Sequence, residues 1–283
     1  MKFQTKWIKK SMIFMDSFEL AKRIRIDSLN MVHHARASHI GSAFSVADII
    51  AVLFIDVLNY DVQNPRFEGR DRLVLSKGHA GVALYSALAE VGFFDKKQLD
   101  YYEDNGGFLS GHISHKGVPG VEFSTGSLGH GVCVAAGMAL ALKLDKSNSK
   151  VYAIVGDGEC DEGSFWEMVL FANQYNLSNL VVIIDRNHMQ AMGDVSRVME
   201  TGDLCKKIEQ FGWNVNSVDG HNHRDLKDAL LKRHNNEKPS LIVANTIKGK
   251  GVSFMENVLL WHYKDPQDDF YDKAIKELNG DKQ

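Results

Sequence analysis

Cysteine is scarce in this sequence: Cys133, Cys160 and Cys205 are the three among 283 residues. The number is odd and no two form a CxxC pair, which excludes a disulfide framework and fits a reducing, cytoplasmic setting. Each reads as an ordinary thiol, Cys160 included, although it follows a glycine-rich loop. A basic stripe is equally missing. Net charge is −3 with both signs mixed along the chain, so no nucleic-acid-binding surface is expected. No apolar run is expected to reach the ~18 residues of a membrane span. The start, MKFQTKWIKKSMIFMDSFELAKRIR, is basic and mildly apolar, but lacks the apolar core and small-residue cleavage site of a signal peptide. No GxGxxG follows an early strand, which argues against a nicotinamide-dinucleotide site. Linkers and internal repeats are absent too. The expected organisation is one domain over 1–283, with 1–16 as a lead-in.

What is present is the composition of a soluble globular protein, 44% hydrophobic and 24% charged. Leu20, Ile24, Leu29 and Val32 have helical spacing and predict a helix over 17–34. Ser45 is a candidate N-cap, with Asp48 three residues on imitating a capping box, for a helix over 46–57. Strands are predicted at 72–75, 151–155, 180–185 and 241–246, and helices at 80–91, 132–143 and 162–175. Small residues on one face of the 132–143 helix (Ala135, Ala136, Ala139) predict close packing against a neighbour. The glycine-rich stretch 104–131 predicts a long loop, functional or mobile. The acidic run DPQDDFYD at 265–272 predicts a solvated tail helix. Strand–helix alternation makes the fold class α/β, a parallel sheet with helices on both faces.

In such a sheet, ligands bind beyond the carboxyl ends of the strands. Two of these ends carry suitable groups. Gly156-Asp157-Gly158 follows the strand at 151–155, and Asn187 follows the strand at 180–185; residues 159–186 between them are one crossover's worth of chain. If the strands are neighbours, the Asp157 carboxylate and the Asn187 amide oxygen face one small volume. Hard oxygens of this kind suit Mg²⁺ or Ca²⁺, and two side chains leave room for waters and phosphate oxygens. The flanking glycines let backbone approach a bulky anion, and the following helix points its N-terminus at it. A GDG on its own equally fits a tight turn before a helix; the spaced Asn187 favours the functional reading.

Here the residues resemble a known family. GDG with the later Asn is the thiamine diphosphate signature of many enzymes. SHIGS at 38–42, SKGHA at 76–80, SGH at 110–112, GVEFSTGSLGHG at 120–131, GDGECDEGSFWE at 156–167 and KGKGVSFMENVLLWH at 248–262 resemble transketolase, in the family's order and over nearly the whole chain. The resemblance implies that Asp157, Asn187 and the Met189 carbonyl ligate Mg²⁺, with Ca²⁺ or Mn²⁺ as substitutes. It implies that Gly156, Gly158 and Glu159 lie at the diphosphate, and that Gly126, Ser127 and Leu128 touch the aminopyrimidine ring. His79 and His262 match histidines near the diphosphate and the reacting sugar; His39 and His112 match those that bind sugar hydroxyls. Glu162 matches a glutamate near the subunit interface. The length matches the two-gene form. That implies a separately encoded partner with the pyrimidine-binding and C-terminal domains, two copies of each chain about a two-fold axis, and no activity from this chain alone. The implied reaction is transfer of a two-carbon ketol unit from a ketose to an aldose.

Three positions depart from the commonest pattern. Ile40 stands where proline is common after His39, Ile113 where proline is common after His112, and His130 where glutamine is usual. The last puts a titratable group near the cofactor. Among the twelve histidines, His33, His34, His221, His223 and His234 read as surface or core-satisfied residues. His115 and His188 stay open between the two readings. Met189, Met192 and Met199 read as packing side chains. Two rival functions remain: the α chain of a 2-oxo-acid decarboxylase, which shares the GDG and Asn site, and a non-catalytic cofactor-binding paralogue.

Overall fold

The computed structural model describes residues 15–232 and 237–280; His234 and most of the lead-in at 1–16 lie outside them. In chain order the helices and strands are α1 (Ser17–Ala35), α2 (Ile40–Val52), β1 (Arg72–Leu75), α3 (Gly81–Glu90), α4 (His130–Leu144), β2 (Val151–Gly156), α5 (Gly163–Gln174), β3 (Leu180–Arg186), β4 (Met189–Gln190), β5 (Gly193–Asp194), α6 (Val195–Val198), α7 (Leu204–Gln210), β6 (Asn214–Asp219), α8 (His223–Leu231), β7 (Ser240–Asn245) and α9 (Asp269–Asn279).

Five strands pair in parallel in the order β1-β2-β3-β7-β6. β4 and β5 form a two-residue antiparallel hairpin. Strand side chains alternate between two cores, as the period of two requires. Leu73, Leu75, Tyr152, Ile154, Ile183 and Ile242 pack with α1, α2, α3 and α8. Val74, Ala153, Val155, Val182, Ile184 and Val243 pack with α4, α5 and α7 on the other face. Ala135, Ala136 and Ala139 of α4 are buried in this second core, so the small-residue face does pack closely.

Several expectations need correction. α2 starts at Ile40, not at 46, with His39 as its N-cap in the left-handed conformation at φ 74°. Ser45 lies inside the helix and spends its hydroxyl on Asp185, 2.6 Å away. A π turn, Leu53–Val57, continues α2. The 18 residues Ile40–Val57 are thus long and apolar enough to cross a membrane, contrary to expectation, but 83% of that stretch is buried inside the protein. The tail helix α9 begins later than expected and is not wholly solvated. Ala274 and Leu278 are buried, Tyr271 stacks on His33 at 4.0 Å, and its hydroxyl bonds Asn30. Met192 and Met199 are not packing groups: they are 76% and 56% exposed.

Candidate active site

Because β1, β2, β3 and β7 are parallel, their carboxyl ends lie on one edge and their following loops meet there. After β1 come Ser76, Lys77, Gly78 and His79. After β2 come Gly156, Asp157 and Gly158, after β3 Asn187, and after β7 Thr246, Ile247 and Lys248. The loops approach closely. A Cβ at Gly78 would lie 2.3 Å from the Thr125 carbonyl oxygen, so this position admits only glycine. Gly78→Ala is therefore expected to lower the melting temperature, with an overpacking cost of ~1–3 kcal/mol or more. Gly137→Ala, in α4 with nothing within 4 Å of the added Cβ, is expected to raise it by ~1 kcal/mol of helix propensity. Thermal melts of the two variants check the pair.

An ionic centre sits beneath the loops. The fully buried Asp185 accepts bonds from Lys77 Nζ and Ser45 Oγ, each at 2.6 Å, and from Thr246 Oγ1. Burial raises the Asp185 carboxyl, but Lys77 and the hydroxyls outweigh it and hold it below the usual carboxylate range. Lys248, also buried, reaches the Met189 carbonyl at 3.4 Å. Burial and the Lys77 charge push its ammonium down to about 8. Asp157 Oδ2 accepts the His188 N–H at 2.5 Å. Burial and then Asp185 push its carboxyl up to about 7. The buried Asn187 accepts the Met189 N–H on Oδ1 at 3.1 Å.

This donor set fits an Mg²⁺–diphosphate. Asp157, Asn187 and the Met189 carbonyl are hard oxygens, and each oxygen named keeps acceptor capacity beyond its one bond. Among the described residues no three His, Cys, Asp or Glu cluster at metal-ligand spacing, so phosphate and water oxygens would have to complete an octahedron. A divalent cation would relieve the raised Asp157 carboxyl, and an anion the lowered Lys248 ammonium.

Four imidazoles gather above this centre. Ring centroids lie 5.3 Å apart for His39 and His79, 5.7 Å for His39 and His112, 5.0 Å for His39 and His262, and 5.7 Å for His79 and His262. The His39 N–H bonds the His262 carbonyl at 2.9 Å. Burial, then His112, Lys248 and Lys77, lower His39 to about 4. Burial, then Lys248, His39 and Lys77, lower His262 to about 3. Burial and Lys77 also hold His79 well below its ordinary value. His262 Nδ1 is buried with no hydrogen-bond partner among the described residues. His112 is exposed at the edge of the cluster, and a Cβ at Gly126 would meet its ring at 3.4 Å. Ser127 is exposed and Leu128 half-buried beside them.

Glu159 is buried beneath these loops. Its buried carboxylate accepts Ser76 Oγ, the Gly129 N–H at 3.0 Å and the Gly156 N–H at 3.3 Å, tying three loops together. Gly158 faces Gln190, whose side chain lies 3.2–3.3 Å from where a Cβ would be. Glu162 is exposed. His130 is exposed, with Nδ1 3.1 Å from the Leu128 carbonyl. His188 is exposed with φ 61°, and His115 pairs with Ser124 Oγ at 2.7 Å. Sequence reasoning missed Lys77, Lys248, Asp185 and Thr246. The signal was a lysine in each of two glycine-flanked loops, SKGH and IKGKG.

A parallel sheet whose carboxyl edge carries hard oxygens, buried ammoniums and imidazoles defines an α/β protein with the groups to hold a phosphorylated cofactor there. Residues 17–269 match the family described as transketolase, thiamine diphosphate binding domain. An apulose-4-phosphate transketolase subunit of Phocaeicola vulgatus is 39% identical over 252 residues, 89% of each chain. A 6-deoxy-6-sulfo-D-fructose transketolase subunit of Clostridium sp. is 39% identical over 259 residues, 91% of this chain and 94% of that one. The crystal structure of transketolase from Campylobacter jejuni superposes with a TM-score of 0.87 at 30% identity, over 93% of this chain and 42% of the other. The chain thus spans about two fifths of that solved transketolase but nearly all of the two relatives named before it. It belongs to the transketolase family, as a subunit carrying the thiamine-diphosphate-binding domain.

Proposed function

We propose that this transketolase subunit transfers a two-carbon ketol unit from a ketose to an aldose in the cytoplasm, and only when assembled with a separately encoded pyrimidine-binding chain. The observation that carries the reading is the cluster of His39, His79, His112 and His262 directly above the Lys77, Lys248, Asp157 and Asp185 centre. Asp157, Asn187 and the Met189 carbonyl would hold Mg²⁺, and Lys248 would balance the diphosphate. Thiamine diphosphate, when bound, supplies the nucleophilic carbon that ketol transfer needs. This chain's part is to orient and to move protons. His39 and His112 would hold the sugar hydroxyls. His262 and His39, kept neutral, would accept a hydroxyl proton as the carbon–carbon bond breaks. The loops at 106–131 and the exposed Met192 and Met199 would meet the partner chain. The expected assembly has two copies of each chain about a two-fold axis.

The pure chain is expected to show no ketol transfer, and addition of the partner to restore it. Light scattering with and without the partner follows assembly. Robust transfer by the pure chain would overturn the two-chain reading. Decarboxylation of a 2-oxo acid by the pair, without ketol transfer, would favour the decarboxylase α-chain instead.

A further inference from the structure

Beyond the imidazole cluster, Asp48 of α2 anchors a second polar network. Its carboxylate receives Arg25 of α1 at 2.6 and 3.1 Å, His223 Nε2 of α8 at 3.0 Å, and His221 Nδ1 at 2.6 Å. The buried Asp48 would be raised by burial, but Arg25 and the two histidines outweigh that and hold it low. The other nitrogen of His221, Nε2, receives the backbone N–H of Ile247 at 2.8 Å. A backbone N–H can only donate, so Nε2 carries no proton, and the ring's hydrogen is on Nδ1, donated to Asp48. The tautomer follows from the partners alone.

Ile247 lies between two residues of the ionic centre. Thr246 donates to Asp185, and Lys248 reaches the Met189 carbonyl. The loop has other ties: the Thr246 N–H to the Arg186 carbonyl at 2.9 Å, the Lys250 N–H to the Ile247 carbonyl at 3.2 Å, the Asn257 N–H to the Lys248 carbonyl at 2.9 Å, and the Gly249 N–H to the Gly41 carbonyl at 3.0 Å. None of these holds the Ile247 N–H, which His221 does.

We propose that His221 is a positioning residue: clamped by Asp48, its Nε2 pins the Ile247 peptide and so aims the Lys248 ammonium at the cofactor's diphosphate. The aim toward the diphosphate rests on the role of Lys248 proposed above. Outer-shell groups that orient the residues holding a metal site typically cost ~10–100-fold in affinity or activity when lost, and the same scale is expected here.

Two substitutions separate the two ends of the ring. The side-chain amide of His221→Asn reaches the Nδ1 position, so it can still donate to Asp48 but cannot hold Ile247. That of His221→Gln reaches the Nε2 position, so its oxygen can still accept from Ile247 while Asp48 loses a donor. In the full chain without cofactor, His221→Asn is expected to speed amide hydrogen exchange across residues 246–252, and His221→Gln to leave it near wild type. Calorimetry with thiamine diphosphate and Mg²⁺ is expected to show about tenfold weaker binding for His221→Asn and little change for His221→Gln. The melting temperature should fall more in His221→Gln, the reverse order. Wild-type exchange and affinity in His221→Asn would overturn the proposal, as would losses that simply follow the melting temperature. Lys248→Met is the control. Unchanged cofactor affinity there would refute the role of Lys248 and the aiming with it, while the exchange data alone decide the tether.

Discussion

Asp157→Asn is expected to abolish Mg²⁺-dependent binding of thiamine diphosphate and, without cofactor, to make the protein more stable at pH 8. The carboxylate is the charged member of the proposed ligand set, and asparagine removes that charge while keeping an acceptor for the His188 N–H. Burying an ionised carboxylate beside another is costly without a counter-charge. Here burial and then Asp185 push Asp157 up to about 7, the more so because Lys77 is already committed to Asp185. The folded value lies above the unfolded one of ~3.9. The unfolded state therefore holds fewer protons between these values, and the unfavourable contribution is absent below pH ~4, grows up to about 7 and is constant above. Its full size is on the order of a few kcal/mol. The gain in stability should thus be large at pH 8 and small at pH 5, as read from melting curves. Wild-type cofactor affinity in Asp157→Asn would refute the ligand role. A variant less stable than wild type at pH 8 would refute the strained carboxylate.

The parts of this fold readable from sequence are those whose residues state their own environment. β2 and β3 are continuous β-branched and apolar runs because both faces are covered, and their ends carry the GDG turn and Asn187. β6 is not legible in that way. Asn214–Asp219 reads NVNSVD, and it is an edge strand paired on one side with β7, so half of it faces water and its apolar pattern is thin. The start of α2 is hidden for the opposite reason. Ser45 and Asp48 look like a local cap, but their partners are 140 residues away at Asp185 and 173 at His221. No spacing rule sees such distances. Lys77 and Lys248 escape notice because a loop lysine normally faces solvent, and their burial depends on Asp185 and on loops from four strands. The four site histidines are found through motif resemblance. What no motif supplies is that three of them are held neutral by burial and by those same lysines.

His39→Asn and His262→Ala are expected to lower turnover ~10²–10⁴-fold, the usual worth of a positioned proton-transfer group, with little change in cofactor affinity. The two rings lie 5.0 Å apart, and the backbone bond between the residues, His39 N–H to the His262 carbonyl, survives both substitutions. Asparagine replaces His39 because φ is 74° there, a conformation that asparagine adopts more readily than alanine. The neutral state is the argument for function. An imidazole already protonated cannot take the hydroxyl proton, and these two, at about 4 and about 3, are free bases throughout the physiological range. The same shifts give a second readout. A histidine whose folded value is depressed binds its proton in the unfolded state first, so stability falls as pH drops from about 6.5 toward 3. His262→Ala removes one such group and should lose less stability than wild type over that window, whatever its effect on turnover. If turnover with the natural donor is unchanged in both variants, the histidines do not move the proton. If turnover falls together with cofactor affinity, their work is in building the site.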